Sequence, residues 1–156
     1  MRSSTFDEIA FFRAIHESGA RSLLIGRRAL VLLGLPVLTA DYDVWIAVED
    51  IERVNDAVER FDLVPTCSPD EARRRGRYAL ENDEHVDVLV ARAVQTVAGV
   101  SVAFDDLWET RRSVTVADAV VYLPSLEGLI LTKQIRTRPK DLEDIRMLRA
   151  LQEPES

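Results

Sequence analysis

A single cysteine, Cys67, stands in the 156-residue chain, so no internal disulfide can form, and a reducing compartment is the natural setting. Histidine is nearly as scarce: His16 and His85 are the only two, and with one thiol they offer no zinc-ligand spacing. No stretch approaches the ~20 apolar residues that span a bilayer. Residues Met1 to Thr5, followed by Phe6, Asp7 and Glu8, place acidic side chains ahead of any apolar run, unlike a secretory leader. A cytoplasmic protein without membrane association is expected. Positive charge is in deficit, with 20 Lys and Arg against 27 Asp and Glu for a net −7, which disfavours a broad, sequence-blind nucleic-acid surface. Also missing are a Gly-x-Ser-x-Gly elbow, a Walker P-loop and a Gly-x-Gly-x-x-Gly turn. With no repeat, low-complexity tract or linker, residues 1–156 are expected to form one domain.

What is present is a globular composition, 47% hydrophobic and 30% charged. Ile9, Ala10, Phe12 and Ile15 make a helical stripe over Phe6 to His16, stopped by Ser18-Gly19. Ser22 to Ile25 reads as a strand ending at Gly26. Arg27 to Leu33 is helix-compatible until Gly34 and Pro36 break it. Asp41 to Val48 alternates, with Tyr42, Val44, Ile46 and Val48 on one face and Asp41, Asp43, Trp45 and Ala47 on the other. Ile51, Val54, Val58 and Phe61 keep helical spacing. Pro65 to Glu71 is rich in turn residues, and a basic stretch from Arg73 to Arg77 follows. Glu84 to Val90 alternates again, with Val86, Val88 and Val90 inward and His85, Asp87 and Leu89 opposite. Short β-prone runs at Ala93–Val97, Ser113–Val116 and Ala119–Leu123 surround a helix over Phe104–Thr110. A helix runs from Leu126 to Lys133. Pro139 opens a last one, with Leu142, Ile145, Leu148 and Leu151 apolar. The class is α+β.

The carboxylates on the strand faces call for explanation. Asp41 and Asp43 project to the same side, and aspartate is poorly suited to strand interiors. Side by side they repel, unless a cation sits between them. Magnesium takes hard oxygen ligands, commonly one or two carboxylates plus phosphate oxygens and water. If the Asp87 strand pairs alongside, three carboxylates converge, enough for phosphoryl-transfer chemistry. The bland alternative is an edge strand with solvated aspartates. Gly26, between an apolar strand and a helix, offers backbone N–H groups to a phosphate, though most such glycines are turns. Lys133 shares a helical face with Leu126, Leu129 and Ile130, where it either snorkels past the core edge or aims at a phosphate. Asp141 and Asp144, near the start of the last helix, suit its dipole.

The stretches Leu24-Ile25-Gly26-Arg27-Arg28-Ala29-Leu30 and Gly34 to Ile46, containing Asp41-Tyr42-Asp43, resemble the signature of the nucleotidyltransferase superfamily. They are most similar to the small bacterial AbiEii-type toxin nucleotidyltransferases. His85-Val86-Asp87-Val88-Leu89 resembles the strand bearing the third carboxylate. Lys133 and the run Arg138 to Ile145 resemble the closing helices, and the resemblance gives the region of Asp141 and Asp144 a role in orienting the phosphate-binding lysine. The resemblance implies a mixed β-sheet flanked by helices, with further helices at the C-terminal end. It implies Mg2+ bound with an NTP by Asp41, Asp43 and Asp87, with Asp87 also a candidate base. Gly26, Arg27 and Lys133 would meet the triphosphate. Arg27 departs from the family pattern, which has a small residue there. It either grips phosphate bidentately or fills the phosphate space.

Two functions follow, ahead of a metal–carboxylate phosphohydrolase, which would want more His or carboxylate ligands than the chain clusters. One is transfer of a nucleoside monophosphate to an acceptor hydroxyl on an RNA end such as tRNA, a small molecule or a protein, releasing pyrophosphate. The other is a non-catalytic binding module, with a protein partner in a toxin–antitoxin pair and Phe6, Phe11 and Phe12 as its contact face. The run Arg73-Arg74-Arg75 with Arg77 is either a solvated face or a steering patch for a polyanionic acceptor, joined by Arg136, Arg138 and Lys140. Trp45 either stacks on a base or packs.

Overall fold

The computed structural model describes residues 6–153; the reading of Met1 to Thr5 as unlike a leader lies outside them. Asp7 caps α1 (Glu8–Glu17), its carboxylate accepting the Ala10 N–H at 3.0 Å. Phe11 and Phe12, expected as an exposed contact face, are instead 0% and 4% exposed. Phe6, half-buried, meets Phe11 at a tilt and Tyr42 meets it edge-on, with centroids 5.2 and 5.8 Å away. The helix puts these rings into the core because its apolar stripe is the face that covers the sheet.

β1 (Ser22–Ile25) leads directly into α2 (Gly26–Leu32), then β2 (Tyr42–Ile46). A 3-10 turn at Val48–Asp50 opens α3 (Ile51–Val58), and another at Glu59–Phe61 closes it before β3 (Val64–Pro65). The supposed loop after Pro65 contains α4 (Pro69–Arg75), followed by β4 (Arg77–Glu81). Ser68 accepts the Glu71 N–H at 3.2 Å with Pro69 just inside the helix, so these residues start a helix instead of breaking one. β5 (His85–Leu89), β6 (Ala93–Gln95), β7 (Ser101–Ala103), α5 (Phe104–Glu109), β8 (Arg112–Val116), β9 (Ala119–Leu123), α6 (Leu126–Lys133) and α7 (Pro139–Gln152) complete the order.

Five strands form one mixed sheet in the order β1-β2-β5-β4-β3, in which β2 and β5 run parallel and the other pairs antiparallel. β6–β7 and β8–β9 are separate two-stranded ribbons. Both faces are covered. Tyr42, Val44, Ile46, Val86 and Val88 join the larger core with α1, α3, α6 and α7. On the other face Leu23, Trp45 and Ala47 pack against Val102, Phe104 and Leu107. Trp45 is therefore not a base-stacking platform: it is fully buried, and its Nε1–H donates to the Ala91 carbonyl at 2.8 Å.

In α7 the buried face is Asp141, Asp144, Ile145 and Leu148, while Leu142 and Leu151 are 50% and 44% exposed. Those four follow the i, i+3, i+4, i+7 spacing of a core stripe, with two carboxylates where leucines would be expected. Among the described residues no helix is long and apolar enough to cross a membrane.

Candidate functional site

A cleft of about 470 Å³ opens where the ends of β1, β2 and β5 meet α6, α7 and the start of β4. Its floor is set by strand register. Asp43 lies opposite Ile25 in β1 and opposite Asp87 in β5, so the two aspartates stand beside each other on one face. Gly26 follows Ile25 at φ +71°, and a Cβ there would lie 2.4 Å from Asp43 Oδ2. Glycine is required twice over, for the left-handed backbone and to leave room for the carboxylate.

Burial, then the neighbouring Asp87 and Asp41, push the Asp43 carboxyl up to about 6, with Lys133 opposing. Asp41 lies just ahead of β2 and is exposed, its N–H donating to Thr39 Oγ1 at 3.0 Å. It reaches the pair as a charge. Among the described residues no three His, Cys, Asp or Glu side chains are gathered closely enough to form a metal site as they stand. What the register brings together is the Asp43–Asp87 pair. Asp87 is held from its open side by His85, whose Nε2 is 2.8 Å from Asp87 Oδ1 and whose Nδ1 is 2.8 Å from Glu81 Oε2. Hydrogen bonding to Asp87 foremost raises the His85 pKa. Two adjacent hard-oxygen anions, one partly desolvated, form a donor set that suits magnesium.

The opposite wall is cationic. Lys133 is 7% exposed, which overturns snorkelling past the core edge. Its Nζ lies 2.8 Å from Asp144 Oδ2 and 4.0 Å from Asp141 Oδ1. Asp144, fully buried, also accepts from Arg27 Nη2 at 3.0 Å and Nε at 3.2 Å. Arg138 grips Asp141 through Nε at 2.8 Å and Nη2 at 3.2 Å. Burial would raise the Asp141 pKa, yet this grip brings it below the ordinary aspartate value. Asp141 does serve the helix start, its Oδ2 accepting the Arg138 N–H at 3.2 Å, and with Asp144 it also anchors the cations of the cleft. Arg27 is tied sideways to α7 and lines the cleft with Lys133.

The basic run divides. Arg73 pairs with Glu52 at 2.6 Å and Asp70 at 3.4 Å. Arg74 and Arg75 both bind Glu71, Arg75 at 2.7 Å. Arg77 belongs to β4 and lines the cleft, as do Arg136 and Lys140. None of these three makes an ion pair among the described residues. The strand alternation already placed His85 on the face of Asp87, and the resemblance gave the Asp141–Asp144 region a role in orienting Lys133; what the sequence did not signal is the link from His85 on to Glu81.

The family profile described as "Nucleotidyltransferase of unknown function (DUF6036)" matches residues 6–153. No curated protein matches the sequence. Among solved structures, the antibiotic-resistance factor ANT(2'')-Ia superposes with a TM-score of 0.64 at 14% identity, over 92% of this chain and 81% of that one. The same factor is known in complex with adenylyl-2''-tobramycin. The lincosamide antibiotic adenylyltransferase LnuA, with lincomycin bound, gives a TM-score of 0.63 at 15% identity, over 95% and 99% of the two chains. TM1012 from Thermotoga maritima, assigned to the nucleotidyltransferases, gives 0.60 at 16% identity, over 91% and 86%. At these identities the likeness establishes the fold.

Proposed function

This chain belongs to the DUF6036 family of nucleotidyltransferases, and on that premise we propose that it transfers a nucleoside monophosphate from a magnesium-bound NTP to an acceptor hydroxyl, releasing pyrophosphate. The observation that carries the proposal is the side-by-side register of Asp43 and Asp87 beneath the positive-φ turn at Gly26. Two anions held together in a half-buried cleft are favourable when a cation joins them.

Asp43 and Asp87, with Asp41 within electrostatic reach, would hold Mg2+. When bound, the ion neutralises charge on the phosphates. Lys133 and Arg27 meet the triphosphate from the α6 and α2 sides, and the turn at Gly26 lets the backbone approach it closely. The acceptor oxygen bonds to the α-phosphorus as the bond from that phosphorus to the pyrophosphate oxygen breaks. Asp87, the exposed member of the pair, accepts the hydroxyl proton, and His85 keeps its carboxylate oriented. Catalysis of this kind rests on positioning and charge. A hydroxyl-bearing acceptor is carried over from ANT(2'')-Ia and LnuA, whose structures hold an adenylylated aminoglycoside and lincomycin. The non-catalytic alternative rested on Arg27 filling the phosphate space. Its clamp on Asp144, which ties it sideways to α7, supports the catalytic reading over that one.

Calorimetry of ATP, GTP, CTP and UTP with magnesium tests the reading. Magnesium-dependent binding of at least one NTP is expected, lost in Asp43→Asn, with both proteins giving the same circular dichroism. Failure of folded wild type to bind any NTP would sink the proposal.

A further inference from the structure

Resting on that reading, we infer that the acceptor carries a phosphate, and that Arg77 on β4 receives it. Across the sheet the order β1-β2-β5-β4 places the Gly26 turn at one side, Asp43 and Asp87 in the middle, and Arg77 beyond them. Arg77 pairs with Leu89, and Leu89 and Asp87 share a face two residues apart on β5. Its side chain therefore projects onto the carboxylate face and lines the cleft. With the triphosphate over α2 and α6, the β4 side is left for the attacking molecule.

Two features separate Arg77 from a solvated surface arginine. Its predecessors Arg73, Arg74 and Arg75 are each neutralised by Glu52, Asp70 or Glu71, whereas Arg77 makes no ion pair among the described residues. Its backbone is also fixed. Gly76, at φ +78°, gives its carbonyl to the N–H groups of both Val90 and Ala91, at 2.8 and 3.0 Å, pinning the start of β4 to the end of β5. An exposed guanidinium without an ion pair on the wall of the cleft, on a pinned backbone, in a chain with net charge −7, is a point of positive charge that draws in anions. Its planar fork matches phosphate oxygens bidentately. An amino-sugar acceptor would meet repulsion at this position.

The reaction stays balanced: the acceptor's hydroxyl oxygen bonds to the NTP α-phosphorus, pyrophosphate leaves, Asp87 takes the proton, and the acceptor's own phosphate is unchanged on Arg77. Such a phosphate belongs either to a nucleic-acid end or to a free nucleotide, and binding separates the two. The protein is saturated with magnesium and the α,β-methylene analogue of the NTP it binds. It is then titrated with a fluorescein-labelled oligouridine of about 12 nucleotides, with UMP, and with uridine. RNA, UMP or both are expected to bind, uridine not to, and Arg77→Gln to weaken the phosphate-bearing ligand at least ~10-fold. The same variant should leave the affinity for the NTP analogue within about twofold, and Arg74→Gln should match wild type throughout. Tighter binding of RNA than of UMP assigns the phosphate to a nucleic-acid end; equal binding per site assigns it to a single nucleotide. The inference is overturned if neither phosphate ligand binds, if uridine binds as well as UMP, or if Arg77→Gln changes nothing. An NTP analogue that fails to bind wild type strikes the proposed function instead, so the two failures are distinct.

Discussion

Asp144→Asn removes one negative charge from the interior while keeping nearly the same shape, so the response reads electrostatics and leaves packing alone. In the native chain Asp144 is 0% exposed and holds Lys133 at 2.8 Å and Arg27 at 3.0 Å. With the charge gone, Lys133 keeps only Asp141, 4.0 Å away and already bound to Arg138. Breaking a buried ion pair by removing one partner typically costs about 3–5 kcal/mol. The Arg27 side chain is 23% exposed and can turn towards water, so the lower end, about 3 kcal/mol, is expected. For a chain of this length each kcal/mol moves Tm by about 2–4 °C, which gives a fall of roughly 6–12 °C. Urea unfolding, followed by the fluorescence of Trp45 and Trp108, supplies the free energy independently. Adding Lys133→Met should return ~1–2 kcal/mol, because one orphaned charge is then removed as well. A loss below about 1 kcal/mol for Asp144→Asn, in the range of solvated surface pairs, would refute the account of this cluster as a buried anchor.

Gly26→Ala forces a left-handed alanine, costing about 1–2 kcal/mol, and drives a methyl to within 2.4 Å of Asp43 Oδ2. Magnesium-dependent NTP binding should vanish in calorimetry, and unchanged affinity would contradict the proposed site. Gly128→Ala puts its methyl 2.9 Å from Pro124 Cβ and 3.0 Å from Leu107 Cδ2, so thermal unfolding should show about 1–3 kcal/mol lost to overpacking, at a residue that does not line the cleft. Trp45→Phe strands the Ala91 carbonyl that now accepts the indole N–H at 2.8 Å, and should cost about 1–3 kcal/mol in urea. Because the Asp141 pKa is depressed below the ordinary 3.8 on folding, its contribution is full above that value and is lost as pH falls through the lower folded one. Asp141→Asn should therefore show a smaller drop in stability on acidification below pH ~4 than wild type.

The parts of the fold governed by local pattern were legible in the sequence. Ser22 to Ile25 is β1 as read, and the alternation of Tyr42, Val44 and Ile46 against Asp43 gave both the strand and its core face. Asp43 and Asp87 could be nominated together because each sits opposite a valine–isoleucine face. Their adjacency needed the parallel pairing of β2 with β5, a long-range fact. For Trp45 the sequence leaves packing and base stacking both open, because the second layer that buries it, Val102, Phe104 and Leu107, comes from more than 50 residues downstream. The α7 helix was read by its leucines, though its buried stripe contains Asp141 and Asp144. A pattern that assumes apolar means inside fails where two cations on other helices turn carboxylates into core residues. The helix α4 was hidden for a simpler reason: Ser68-Pro69 signals both a turn and a helix start, and the sequence alone does not choose.

The salt link from Arg27 to Asp144 spans 117 positions of the chain, which bears on the order in which the protein is made. During synthesis the aspartate floor and the Gly26 turn are complete long before α7 leaves the ribosome. Until it does, Arg27 and Lys133 have no Asp144 to fold against, and a chain cut short ahead of α7 has two cations with nowhere to be buried. Contacts of such separation close late. The cationic wall of the cleft thus takes shape only once α7 docks, so the same carboxylate that steadies the finished molecule leaves the cleft incomplete until translation has passed α7.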